Sequence, residues 1–421
     1  MALQALKGFK DVLPGESEKW AFLEQTARKI FQNYGYAEIK TPILEKTELF
    51  ARTIGAATDI VEKEMYTFAD RSGDSVTLRP EATASVLRAF IEHHLHTRQP
   101  LQKLFSIGPM FRHERPQKGR FRQFHQINAE SLGSAGPYTD AEIILLLIRI
   151  LQAVGLADIR LRLNSLGCPA CRPSFGAALQ DFFEDRKGSF CEDCRRRITT
   201  NPLRVFDCKV ERCQELLREA PTIPDFCCPA CRDHFERVQE LLSPWEIPIV
   251  LDPRLVRGLD YYCRTTFEVS AAHLGSQDAV AGGGRYDGLL KTLGGPDLPA
   301  IGFAIGVERA ALLLGEDSQW ETNPFVFFAA LGEDARRRAF QWVQSLREQG
   351  VPAEMEPEEK SLKSQFRRAD KLRAPLVVIT GSEELEKGRA TVRIMEDRTQ
   401  EEVPLGNLAD FIIQRYGLRE K

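Results

Sequence analysis

The sequence predicts a globular chain of two or three domains that mixes helices and strands, and three observations carry this. The chain has 421 residues, more than one ordinary hydrophobic core accommodates. Its make-up, 43% hydrophobic and 28% charged, is that of a soluble globular protein. Nine of its ten cysteines fall between Cys168 and Cys231, in an island of Cys, Arg and Pro that interrupts a more ordinary chain. The regions expected are therefore a core built from residues 1–167 and 246–320, the island at 168–245, and a C-terminal part at 325–421.

Taken in order, residues 17–34 predict a helix, with Trp20, Leu23, Ala27, Ile30 and Phe31 on one face. Gly35 ends it, and a strand runs on to Pro42. Residues 104–114 and 121–132 predict two strands joined by a turn from Arg115 to Arg120, marked by Pro116 and Gly119. Strand side chains alternate between faces. Phe105, Ile107 and Phe111 therefore share one face and Arg112 and Glu114 the other, while Gln126, Asn128 and Glu130 oppose Ile127 and Ala129. One face of this hairpin suits a core, and the other gathers Arg112, Gln126 and Glu130. A half-exposed sheet with solvated charges has the same pattern.

Thr139-Asp140-Ala141-Glu142 reads as a capping box before an apolar run at 143–151. Residues 265–269 alternate as a strand, and 302–309 read as a strand entering a helix. In the C-terminal part, strands at 326–328 and 376–380 and helices at 333–349 and 408–416 predict a small α/β domain.

No stretch approaches the roughly 20 apolar residues of a membrane span. The N-terminus, with Lys7, Lys10 and Asp11, lacks the apolar stretch of a secretory signal, so a cytoplasmic enzyme is expected. The net charge of −3 means that any nucleic acid must meet positive charge locally. One such place is the hairpin turn, with Arg115, Lys118, Arg120 and Arg122 suited to gripping phosphates. Another is the stretch with Lys360, Lys363, Arg367, Arg368, Lys371 and Arg373 against only Asp370. In Arg257-Gly258-Leu259-Asp260-Tyr261-Tyr262, a cation and two phenols flank a glycine that lets the backbone approach a ligand. The glycine-rich run at 282–288 is neither a P-loop nor a dinucleotide fingerprint.

In the island, Cys168-Pro-Ala-Cys171 and Cys191-Glu-Asp-Cys194 are separated by 19 residues, a zinc-ribbon spacing. Cys208, Cys213, Cys228 and Cys231 would complete a second tetrad, with Cys227 as a competitor. A closed tetrad would be structural, since it leaves no open position for chemistry. Reduced thiols without metal are the other reading.

The order of segments is specific. Leu78-Arg79-Pro80-Glu81-Ala82-Thr83, Phe111-Arg112-His113-Glu114-Arg115-Pro116, Phe124-His125-Gln126, the segment from Arg257 to Tyr262, and the segment from Gly302 to Arg309 follow one another as in histidyl-tRNA synthetases. The catalytic part resembles that family, and the C-terminal part is similar to its anticodon-binding domain.

The resemblance implies an α+β fold: a class II synthetase antiparallel sheet with flanking helices, a Cys-rich insertion and a C-terminal α/β domain. The segment from the first helix to Pro42 is similar to the motif that forms the family's dimer interface, which implies a homodimer. The implied partners are ATP, magnesium, L-histidine and tRNA(His). Arg112, Glu114, Arg120 and Arg309 would bind ATP. Glu81, Thr83, Gln126, Glu130, Arg257, Tyr261 and Tyr262 would bind histidine. Arg257, Arg112 and Glu81 would act in catalysis, Arg257 as the extra cation at the α-phosphate. Arg115 and Gln117 would read the tRNA acceptor end, over which the insertion, with its arginines at 195–197, would lean.

Ala82 stands where the family pattern has glycine, which is tolerable unless the backbone there needs a positive φ. The alternative function is a non-catalytic regulatory subunit of ATP phosphoribosyltransferase. Such proteins share the fold and tend to lose the catalytic arginines and the anticodon domain, both of which this chain keeps.

Overall fold

A computed structural model describes residues 3–55, 58–271, 279–315, 320 and 323–419. The chain separates into two compact units, residues 1–318 and 319–421. The first is organised on an eight-stranded sheet. Its strands run in the order Ala37–Glu38, Gln102–Phe111, Gln123–Leu132, Ala300–Gly306, Ala279–Arg285, Cys263–Ala271, Ile159–Ser165 and Ile249–Leu251. Neighbours pair antiparallel except at the two edges, where the short outer strands run parallel to theirs.

Period-two alternation decides what each face of this sheet meets. Ile127, Ala129, Phe105 and Phe303 join one core with helix Glu16–Asn33, which buries Trp20, Leu23, Ala27 and Phe31, and with the apolar helix Pro137–Ala153. The other face is partly covered by helix Thr83–Glu92 through Val86, Leu87 and Phe90. The insertion adds Phe175, Leu179, Phe183 and Phe190 to that second core, so it is built into the first unit. Between these covers the polar positions of the sheet are left facing a cavity.

Two readings of the sequence need correction. The hairpin strands are shorter than expected, because after one more hairpin bond, from Arg112 N–H to Arg122 O at 2.9 Å, the backbone turns to another partner, His113 N–H donating to Glu64 O at 2.7 Å. The helix expected from Thr139 begins at Pro137, a residue pre-set for a first helical turn, with Gly136 before it. Thr139 is consequently no cap, and Asp140 lies inside the first turn. It is fully buried and pairs with Arg285, itself 0% exposed, while His234 from the helix Pro229–Leu242 lies 2.8 Å from its second oxygen. Burial alone pushes the Asp140 carboxyl up, but His234 and Arg285 outweigh it and hold it below its usual range.

The second unit is a five-stranded sheet in the order Ala353–Met355, Val326–Ala330, Leu376–Thr380, Arg389–Ile394, Gln400–Pro404, its first three strands parallel. Helices Glu333–Glu348 and Leu408–Arg419 pack on one face and Leu362–Lys371 on the other. Among the described residues, no helix is long and apolar enough to cross a membrane.

Candidate active site

The polar face of the large sheet floors a cavity of about 560 Å³. Gln126, Asn128, Glu268 and Gly282 line it from the strands, Glu81 and Thr83 from the start of a helix, Tyr261 and Tyr262 from the segment before strand Cys263–Ala271, and Tyr286 from the end of the glycine strand Ala279–Arg285. Arg112, Glu114, Arg120 and Arg309 stand along it as well. Most residues expected at the site are therefore brought together. Arg115 and Gln117 are not: they are exposed in the hairpin turn, where Gln117 and Arg120 pair backbone to backbone.

Glu130 is not itself in that lining: 1% exposed, it lies behind Thr83, Tyr286 and Gly302, which are. Thr83 Oγ1 donates to its carboxylate at 2.7 Å, and the Tyr286 hydroxyl donates to its other oxygen. Burial, together with the charge of Glu81, pushes this carboxyl up to about 8 against the lowering effect of those two donors. Gly302 makes the arrangement possible, since a Cβ there would lie 1.8 Å from Glu130 Oε2. The three tyrosine rings form one wall, with centroids 4.7 Å apart for Tyr261–Tyr262 and 5.6 Å for Tyr261–Tyr286.

Glu81 is buried and takes the first N–H groups of helix Thr83–Glu92, from Thr83 at 2.7 Å and Ala84 at 2.8 Å. A carboxylate suits a helix start, where such donors are otherwise unsatisfied. Burial nevertheless raises its pKa. Ala82, the departure from the family pattern, has φ −94°, so no left-handed residue is needed there. Gln126 Oε1 is buried and has no hydrogen-bond partner among the described residues, an acceptor left facing the cavity.

The lining also has a cationic part. Arg112 is anchored by Nε to Pro80 O at 2.8 Å and lies over the Phe124 ring at 5.2 Å. Arg120 pairs with Glu114 at 2.9 Å. Arg309 is lowered by burial and by the like charge of Arg120, so an anion between them would relieve both. Arg257 pairs with Glu268 on the cavity floor, and a Cβ at Gly282 would lie 2.4 Å from its guanidinium. The glycine run at 282–284 thus makes room for the Arg257 guanidinium at Gly282 and for the backbone of the neighbouring strands at Gly283 and Gly284.

Sequence reasoning missed Tyr286, which follows the glycine run without any motif of its own, and Asp59. Asp59 lines the cavity and draws in the insertion: Arg197 lies 3.1 Å from it, Arg196 3.6 Å and Arg204 3.9 Å. Arg204 also donates to Arg257 O at 3.3 Å, and Asn201 to Asp260 at 2.8 Å. Arg197 is therefore turned onto the core, while Arg195 and Arg196 stay exposed, as expected for that run, Arg196 also reaching Asp59.

The cysteines correct the expected metal set. Cys168, Cys171, Cys191 and Cys194 do not come together. Cys168 and Cys171 join Cys228 and Cys231, while Cys191 and Cys194 join Cys208 and Cys213. The reason is topological: the helix Arg172–Glu184 carries the chain away from Cys171 before Cys191 is reached, and the two ends of the insertion close on each other. Cys227 packs beside the first set, 3.8 Å from Ser165 Oγ, and Cys263 is buried elsewhere.

An antiparallel sheet whose polar face converges arginines and a buried carboxylate, on a chain that also carries a separate α/β unit, defines a class II aminoacyl-tRNA synthetase. Residues 8–169 and 200–310 match the family model for histidyl-tRNA synthetase, and residues 326–415 that for an anticodon-binding domain. The chain belongs to the histidyl-tRNA synthetase family.

It is 54% identical over 421 residues to a histidine--tRNA ligase of Desulfosudis oleivorans, covering 100% of both chains. It is 55% identical over 405 residues to one of Trichlorobacter lovleyi, covering 96% of each. Apo histidyl-tRNA synthetase of S. aureus has the same fold, with TM-score 0.82 and 36% identity over 98% of this chain and 100% of that one. The regulatory-subunit alternative is not favoured by these full-length likenesses.

Proposed function

We propose that this chain attaches L-histidine to tRNA(His) in two steps, through histidyl-adenylate, and that the cavity divides the labour between its parts. The observation that carries this reading is the buried Glu130, held by Thr83 and Tyr286, two residues that line the same cavity as the arginines.

The imidazole is paired by Glu130, with Tyr261 and Tyr262 as neighbours. A site built on paired polar groups rejects analogues lacking them, by roughly 10⁴-fold or more. Gln126 Oε1 and the remaining lone pairs of Glu81, with Thr83, receive the α-ammonium and backbone atoms of histidine.

The histidine carboxylate then attacks the α-phosphorus of ATP and pyrophosphate leaves. Two anions must approach, so positioning and charge stabilisation dominate. Arg112 bridges the carboxylate and the α-phosphate, Arg257 adds a second cation there, and Arg309, with Arg120 and Glu114, holds the rest of ATP. In the second step a ribose hydroxyl of the tRNA's terminal adenosine attacks the mixed anhydride, and AMP leaves. A phosphate oxygen or Glu81 takes the proton.

Magnesium fits the cationic part. Glu64 is raised by burial and by the charge of Glu114, a like-charge pair of hard oxygen donors that a cation relieves. Glu64 and Glu114 would hold the ion, which supplies charge neutralisation at the β- and γ-phosphates.

Arg115 and Gln117, exposed in the hairpin turn, meet the acceptor end of the tRNA. Two copies pair through the segment from helix Glu16–Asn33 to the edge strand Ala37–Glu38, and the protein works in the cytoplasm. Histidine-dependent exchange of pyrophosphate into ATP tests the reading. Folded protein that shows no exchange would overturn it.

A further inference from the structure

The two cysteine tetrads belong to no step of that reaction. In each, the four Sγ atoms lie within 4.8 Å of one another. Measured pairs are 3.6 Å for Cys168–Cys171 and 3.8 Å for Cys191–Cys208. Disulfides are excluded for these pairs, since bonded sulfurs sit about 2.05 Å apart. A tetrahedron of Zn–S bonds of about 2.3 Å has edges near 3.8 Å, which is the spacing seen. A cubane iron–sulfur cluster places its cysteines on different irons and spreads them wider.

The backbone around the sulfurs is arranged for thiolates. Cys228 N–H points at Cys171 Sγ at 3.2 Å, Cys191 N–H at Cys213 Sγ at 3.3 Å, and Val210 N–H at Cys208 Sγ at 3.4 Å. Cys171, Cys191 and Cys228 each stand immediately before a helix, of 13, 9 and 14 residues, where the helix dipole favours negative charge. The match to the family model skips residues 170–199, so Cys171, Cys191 and Cys194 lie outside it.

We propose that the insertion holds two structural zinc ions, one in each tetrad, nested along the chain. Each ion is bound by four thiolates, with release of the four thiol protons and no change of oxidation state. The outer ion, on Cys168, Cys171, Cys228 and Cys231, ties the entry of the insertion to its exit. The inner ion, on Cys191, Cys194, Cys208 and Cys213, braces helix Glu192–Thr200 and the turn Pro202–Asp207. Those elements present Arg197 and Arg204 to Asp59 and to the cavity, so the inner ion is a positioning device for a cationic wall of the active site.

The test is metal analysis of the full chain purified without chelator. Two zinc ions per chain are expected, matching the two tetrads. Cys191→Ser with Cys194→Ser should leave one and raise amide hydrogen exchange over residues 192–209. Cys168→Ser with Cys171→Ser should also leave one, and Cys227→Ser should leave both. Should a double variant fail to fold, cobalt substitution of the unaltered chain still reads the site, through the visible bands of tetrahedral tetrathiolate cobalt. Substoichiometric metal with all eight thiols open to alkylation, iron with labile sulfide, or a single ion would each overturn the proposal.

Discussion

The hydroxyl of Tyr286 donates to the same buried carboxylate, Glu130, that Thr83 holds from the other side. Glu130 is the group proposed to choose histidine, and Tyr286 sets its orientation. A hydrogen bond contributes about 0.5–1.5 kcal/mol, so losing the one that orients Glu130 costs up to about tenfold in binding. Tyr286→Phe keeps the buried ring and removes only the donor. The KM for histidine in pyrophosphate exchange should rise by up to about tenfold, with the KM for ATP unchanged. An unchanged KM for histidine would sink the assignment.

Glu130 also makes a stability prediction. Its carboxyl is raised from 4.5 to about 8 in the folded chain, so between those values the folded state binds a proton that the unfolded state has released. The stabilisation is complete below the unfolded value and is lost as pH rises through the folded one, with a slope approaching about 1.4 kcal/mol per pH unit. Ligand-free protein should therefore lose stability from about pH 4.5 to about pH 8. Glu130→Gln, which has no carboxyl to titrate, should flatten that part of the curve measured by urea unfolding. A curve of the same slope in both proteins would refute the protonation of Glu130.

Gly282→Ala separates space from stability. The added Cβ would lie 2.4 Å from the Arg257 guanidinium, which is the mobile end of a side chain and can swing away at little cost to the fold. It would leave Glu268 and the place where the α-phosphate is proposed to sit. The variant should behave like Arg257→Ala, with kcat down about 10²–10³-fold, the loss typical of removing one charge-stabilising donor, and with melting temperature nearly unchanged. A large stability loss, or full turnover, would speak against this use of the glycine.

Much of this site is legible in the sequence because it follows local periodicity. Gln126, Asn128 and Glu130 lie on one face of their strand by alternation alone, and Ile127 and Ala129 fall in the core as that pattern requires. Tyr286 is not legible in that way: it pairs with Glu130 across 156 positions, and only the sheet order brings them together. The cysteine spacing identifies the pairs but not their partners, because partner choice depends on how the insertion folds back. Asp59 carries no motif, and its role appears only when three arginines of the insertion converge on it. The capping-box reading of Thr139 fails because Pro137 can start the helix earlier and Asp140 is needed for the buried Arg285.

The second unit carries the last prediction. The basic run at 360–373 is narrower in space than in sequence. Arg368 is turned to Glu356 at 3.0 Å and Lys360 to Glu358 at 2.9 Å. Lys363, Arg367 and Lys371 are exposed, form no ion pair among the described residues, and lie four apart on helix Leu362–Lys371, whose opposite face buries Gln365 and Ala369. Residues spaced this way share one face of a helix, and such a row suits a tRNA backbone. For every phosphate that the protein no longer neutralises, the salt dependence of tRNA binding should fall by roughly 0.7–0.9 in log–log slope. Replacing all three by alanine should therefore flatten that slope and weaken tRNA binding by on the order of tenfold at moderate salt. Histidine-dependent pyrophosphate exchange needs no tRNA and should keep its rate. If the triple variant bound tRNA with the original slope, the row would be a solvated helix face and the RNA-binding surface would have to be sought elsewhere on the unit.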